Sequence, residues 1–160
     1  MAVDRYPSGL TPSLIDRLID PESEGTSWRR GYSVEEMIDA VRRDLEDLLN
    51  SHRVVDEGAR DYPEARDSLV TYGLPDLASI RSSVGGVQAR VCAVIEETIA
   101  RFEPRLTDVR VSPVPEIDPR WLKLQFEING TLRMEPSPDV AFLTVLKLTT
   151  GETSIHHAGG

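Results

Sequence analysis

Apolar residues recur at helical spacing twice along the chain. Val34, Met37, Ile38, Val41, Leu45, Leu48 and Leu49 fall in one narrow sector at about 100° per residue, which predicts a helix with that stripe in the core. Its start is legible in Ser33-Val34-Glu35-Glu36, a capping box in which the serine serves the third amide and Glu36 reaches back. Tyr32 and Met37 occupy the two hydrophobic staple positions. Glu35, Asp39, Arg43, Glu46, Asp47 and Asn50 form the other, solvated face, with Asp39 and Arg43 at ion-pair spacing. The second stripe is Val87, Val91, Ile95, Thr98, Ile99 and Phe102. Opposite it stand Ala89, Ala93 and Ala100, with Arg90, Glu97 and Arg101 to one flank. A face of small residues admits a second backbone, from the N-terminal segment or a partner, yet alanine is equally what any stable helix uses. Cys92 lies at the margin of the apolar face as an inert core residue.

From Asp108 the period changes to two. Val109 and Val111 point inward in a strand over 108–114 that Pro113, Pro115 and Pro119 confine to a short edge. Trp121 to Glu127 alternates, with Leu122, Leu124 and Phe126 on one face. Asn129-Gly130 is a hairpin signal, and a three-residue loop keeps Phe126 opposite Leu132 and Leu124 opposite Met134. Val140 to Leu148 is nearly continuously apolar, the pattern of a central strand covered on both faces. Gly151 then turns the chain into a last short strand, Ser154 to His157.

The remainder connects these parts. Residues 1–32 read as an arm with one short helix: Thr11-Pro12 caps it, Leu14, Ile15, Leu18 and Ile19 line it, and Asp20-Pro21 ends it. The polar stretch to Gly31, with Trp28 beside Arg29-Arg30, suits either a loose terminus or an arm ordered by a partner. Residues 33–160 form a single domain. After a loop to Asp61, a short helical turn runs from Glu64 to Tyr72; Gly73, in a left-handed conformation, and Pro75 end it. Gly85-Gly86 weakens any helix begun before Val87.

The joint between the helical and strand halves is Phe102-Glu103-Pro104-Arg105. Pro104 has no N–H and pushes Glu103 out of helical geometry, so Glu103 and Arg105 stand two apart in an extended segment with opposite charges on one side. An acid and a guanidinium are thus displayed together at the joint, where an ion pair can brace the corner.

Composition narrows the field. At 160 residues and 39% hydrophobic, there is one core's worth of chain. No apolar run reaches the roughly 18 residues of a membrane span, the N-terminus has no apolar signal core, and no membrane insertion is expected. A net charge of −9, with 27 acids against 18 bases, argues against nucleic acid, which needs a basic surface. One cysteine excludes an internal disulfide or thiolate cluster and fits a reducing compartment. His52, His156 and His157 make no metal-ligand spacing, and no Gly-rich phosphate loop emerges, so no cofactor is expected.

Taken together, Asp44-Leu45-Glu46-Asp47-Leu48-Leu49-Asn50, Tyr62-Pro63-Glu64, Tyr72-Gly73-Leu74-Pro75-Asp76-Leu77 and above all Phe102-Glu103-Pro104-Arg105-Leu106 resemble the TssE family of type VI secretion baseplate proteins. That family is similar to the lysozyme-like wedge protein of contractile-tailed phages, and the resemblance covers about residues 10 to 156. It implies an α+β fold, N-terminal helices on a small mostly antiparallel sheet, similar to the sheath's interlocking domain. It also implies a structural role at the inner face of the bacterial inner membrane, in the cytoplasm. The implied partners are other baseplate wedge subunits and the contractile sheath, whose polymerisation the family helps start. A sheet with free edges can take up a strand of another chain. The family's motif falls on Glu103, Pro104 and Arg105 as partner-binding residues.

The rival class is a peptidoglycan-cleaving enzyme, since the family name carries "lysozyme". Glycoside hydrolysis needs two carboxylates about 5 to 10 Å apart, one with a raised pKa. Arg105 beside Glu103 is the wrong neighbour for a general acid. The chain reads as a non-enzyme.

Overall fold

The computed structural model describes residues 13, 18, 33–53, 62–66, 68–76, 86–114, 123–135, 137–147 and 150–158. The arm before Ser33, apart from Ser13 and Leu18, lies outside the described residues, as does most of the stretch before Gly86. The elements are α1 (Val34–Asn50), α2 (Pro63–Arg66), a 3-10 turn (Leu69–Thr71), α3 (Val87–Phe102), then β1 (Leu106–Pro113), β2 (Lys123–Leu132), β3 (Asp139–Lys147) and β4 (Thr153–His157). The fold class is α+β, with α1 and α3 packed on a four-stranded antiparallel sheet of order β1-β2-β3-β4.

Helix α1 starts where its sequence says. The Ser33 hydroxyl accepts from the Glu36 N–H at 3.1 Å, and the Glu36 carboxylate accepts from the Ser33 N–H at 2.7 Å. This satisfies two amides that an uncapped helix would leave open. Met37, Val41, Leu45, Leu48 and Leu49 are buried, joined by Ala40, while Val34 and Ile38 are half-buried at the margin of the stripe. In α3, Val91, Ile95, Thr98 and Ile99 are buried, whereas Ala89, Ala93 and Ala100 are exposed. Helix α1 lies along β4 and α3 along β1, so one core fills the space between the two helices and the inner face of the sheet.

The corner before α3 depends on Gly73. Its φ is +96°, and a Cβ there would stand 2.3 Å from the Ser51 carbonyl oxygen. That close approach lets Leu74 N–H donate to Ser51 O at 2.8 Å and Arg53 N–H donate to Leu74 O at 3.0 Å, pinning the corner to the end of α1.

The sheet corrects the sequence reading in two places. Asn129-Gly130 makes no hairpin: β2 runs unbroken through it, with Leu124, Phe126, Ile128, Gly130 and Leu132 all buried on one face. The apolar alternation in fact stays in phase across the glycine. Gly130 serves a close approach instead, because β1 bulges opposite it between Thr107 and Arg110, with Asp108 at φ +52°. A Cβ on Gly130 would press on the Thr107 carbonyl oxygen at 3.3 Å. The bulge also explains how Leu106, Val109 and Val111, spaced by three and then two, all face the core. The second correction is β3, which is not covered on both faces. Val140, Phe142, Thr144 and Leu146 are buried while Ala141, Leu143 and Val145 are half-exposed on the outer face.

Candidate functional site

Glu103, Pro104 and Arg105 lie where α3 gives way to β1. Glu103 caps the helix, its N–H still donating to Ile99 O at 2.9 Å, and Leu106 N–H donates to Glu103 O at 3.2 Å. The segment between is thus a turn rather than the extended dipeptide the sequence suggests, because the chain must reverse to enter β1. The two charged side chains still meet. Arg105 Nε donates to Glu103 Oε1 at 2.7 Å, Nη2 donates to Oε2, and the Arg105 backbone N–H donates to Oε1 at 3.0 Å. This is a two-pronged guanidinium–carboxylate pair, the strongest geometry available to these groups.

A third residue joins from 61 positions away. Arg105 Nη2 also donates to Asp44 Oδ2 of α1 at 2.5 Å. The Arg105 carbonyl accepts from Arg133 N–H at 2.8 Å just past β2. The corner therefore ties α1, α3, β1 and the end of β2 together. Glu103 is buried, its side chain 5% exposed, while those of Arg105 and Asp44 are 27% and 30% exposed. Pro104 is exposed at the tip of the turn. Burial works against the charge of Arg105, but the hydrogen bonds and charge of Glu103, then those of Asp44, outweigh it and raise its pKa above the usual arginine range. Tyr72 closes one side, its ring edge-on to Phe102 at 5.3 Å. Burial raises the Tyr72 pKa, with Asp47, Asp44 and Glu103 adding to the effect.

Both Glu103 oxygens already accept from Arg105. Arg105 bonds Glu103 and Asp44 through Nε and Nη2. The sequence reading placed Glu103, Pro104 and Arg105 together correctly and missed Asp44. No local pattern could have supplied it, since Asp44 reaches Arg105 only through the packing of α1 against the corner. The same holds for Asn50, assigned to a solvated face: its amide bonds the Thr153 backbone. Among the described residues no group of three His, Cys, Asp or Glu side chains could hold a metal ion, and no helix is long and apolar enough to cross a membrane.

Two helices on a four-stranded antiparallel meander, joined at a buried ion-pair corner, make up the α+β frame of the described residues. The family model for baseplate wedge protein gp25 matches residues 35–137, from the first turn of α1 to the end of β2 and beyond, and the chain belongs to that family. Among solved structures, a chain of the baseplate complex from the type VI secretion system is similar, with 20% identity and a TM-score of 0.47, covering 68% of this chain and 93% of that one. No curated protein matches.

Proposed function

We propose that this baseplate wedge protein is a TssE-type subunit of a type VI secretion baseplate, set in the cytoplasm at the inner face of the inner membrane. It bridges other wedge subunits and the contractile sheath, and it helps start sheath polymerisation by accepting a strand. The observation that carries this reading is the family match across 35–137, which includes the Glu103-Pro104-Arg105 corner. The exposed tip at Pro104 and the partly exposed Arg105 side chain support that corner as a partner-binding site.

The role is structural and non-catalytic. Burial of Glu103 and its two-pronged bond to Arg105 argue against a general acid. Clearing of purified peptidoglycan by this protein, lost in Glu103→Gln, would overturn that.

The test is co-expression with the remaining baseplate and sheath subunits of the same gene cluster. The expected outcome is co-purification of the wild-type chain with wedge subunits, and at least a tenfold loss of sheath assembly in Arg105→Ala while the purified variant stays folded by circular dichroism. If Arg105→Ala is folded and assembles sheath normally, the corner only braces the fold. Co-purification with phage-like tail proteins instead would move the protein to a free contractile particle.

A further inference from the structure

Strand addition needs an open sheet edge, and the two edges of this sheet differ. In β4, Lys147 N–H donates to Glu152 O and Ala158 N–H donates to Ala141 O, so Thr153, Ile155 and His157 turn their backbone groups outward. Part of this edge is already engaged by α1. The Asn50 carboxamide accepts from Thr153 N–H at 2.8 Å and donates to Thr153 O at 2.9 Å, holding both groups as a neighbouring strand would. Arg42 Nη1 donates to Ile155 O at 3.5 Å, and the His157 ring meets Asp39 at 2.9 Å. Three backbone groups of this edge, Thr153 N–H and O and Ile155 O, are thus taken by side chains of α1.

Edge β1 is held more lightly. Val114 N–H donates to Gln125 O at 2.9 Å, which turns Val111 and Pro113 outward. Pro113 has no N–H to offer. The Val111 N–H donates to a single side-chain oxygen, Glu96 Oε2, at 3.0 Å. Glu96 also faces Arg110 at 3.3 Å, whose side chain is 75% exposed. Beside this edge α3 presents Ala93 and Ala100, and a groove of about 470 Å³ runs between them and Leu106–Arg110. Its lining carries Glu96, Glu97 and Asp108 against Arg110, and Arg101 bonds Glu97 at 2.8 Å, which leaves an excess of one negative charge.

We infer that β1 is the edge that receives the sheath subunit's strand, and that Glu96 is a displaceable cap on it. This rests on the strand-addition reading above and assigns its site. An incoming carbonyl replaces the Glu96 carboxylate on the Val111 N–H, and main-chain hydrogen bonds supply affinity over a short stretch beside the bulge. The alanines leave the groove open for side chains of the added strand. The acidic rim selects basic ones, including a lysine or arginine placed to pair with the released Glu96. In the free protein the cap, the bulge and Pro113 together protect β1 from pairing with a second copy.

A photo-crosslinking amino acid at Arg110 on β1 or at His156 on β4, in the full chain co-expressed with wedge and sheath subunits, tests the assignment. The expected result is a sheath crosslink from position 110 and none from 156. Glu96→Ala should raise that yield severalfold and Glu96→Gln, which keeps an acceptor, should leave it near wild type. A crosslink from 156, alone or alongside 110, overturns the edge assignment while leaving strand addition intact. No sheath crosslink from either position, with wedge subunits still co-purifying, overturns strand addition and this inference with it. An unchanged yield in a folded Glu96→Ala removes Glu96 from the gate.

Discussion

Glu103 is a buried acid whose charge is met inside the fold, and that fixes what its loss should do. With its side chain 5% exposed and bonded in three places by Arg105, removal leaves the guanidinium with Asp44 as its only acid partner in the corner. Breaking a buried pair from one side costs about 3–5 kcal/mol. Glu103→Ala is therefore expected to lose a large share of the protein's stability in urea denaturation. Asp44→Ala, removing a side chain 30% exposed, should lose only about 1 kcal/mol. Equal losses at the two positions would mean that Glu103 is not the anchor. Glu103→Ala therefore cannot separate bracing from partner binding, and Arg105→Ala, which leaves the buried Glu103 without its partner, separates them only when the variant is shown to stay folded.

At the scale of elements, β3 and β4 bring two hydroxyls into the core without using them. Thr144 and Thr153 are buried, and neither side-chain oxygen has a hydrogen-bond partner among the described residues. Thr144 stands on the inner face of β3 between Phe142 and Leu146, so Val fits the same volume and removes the cost of an unmatched hydroxyl. Thr144→Val is expected to stabilise the fold by about 1 kcal/mol, seen as a melting temperature several degrees higher. A lower melting temperature would show that the hydroxyl has a partner after all. The strand pattern was the most legible part of the sequence, and its one large error is instructive. Asn129-Gly130 has the chemistry of a two-residue turn, but the phase of Leu124, Phe126, Ile128 and Leu132 runs through it, and phase governs because it buries side chains.

Over the whole molecule, the corner at Tyr72 couples the fold to alkaline pH. Burial and then the charges of Asp47, Asp44 and Glu103 hold the Tyr72 proton above the ordinary value of 10.0. The folded state thus keeps that proton at pH values where the unfolded chain has begun to lose it. This contribution is fully present below about pH 10 and is lost as the pH rises through the raised folded value. Stability should therefore fall on the alkaline side, and Tyr72→Phe, which cannot ionise, should flatten that fall between roughly pH 9.5 and 11. The check is urea denaturation of both proteins across that range. Parallel curves would remove Tyr72 as the source.

The sequence by itself determined the two long helices, α1 and α3, the core stripe of each, the cap at Ser33, the break at Pro104 and the adjacency of Glu103 and Arg105. All of these depend on neighbours within a few residues, where side-chain spacing and backbone dihedrals decide the outcome. It also contained the motif by which the family is recognised. Only the tertiary structure decided that Asp44 completes the corner, that Gly130 lies beneath a bulge, and that the alanine face of α3 stays open beside β1. Only there, too, does Asn50 engage one sheet edge while Glu96 lightly caps the other. Each of these joins residues far apart in the chain, and such contacts exist only once packing has set the distance between elements.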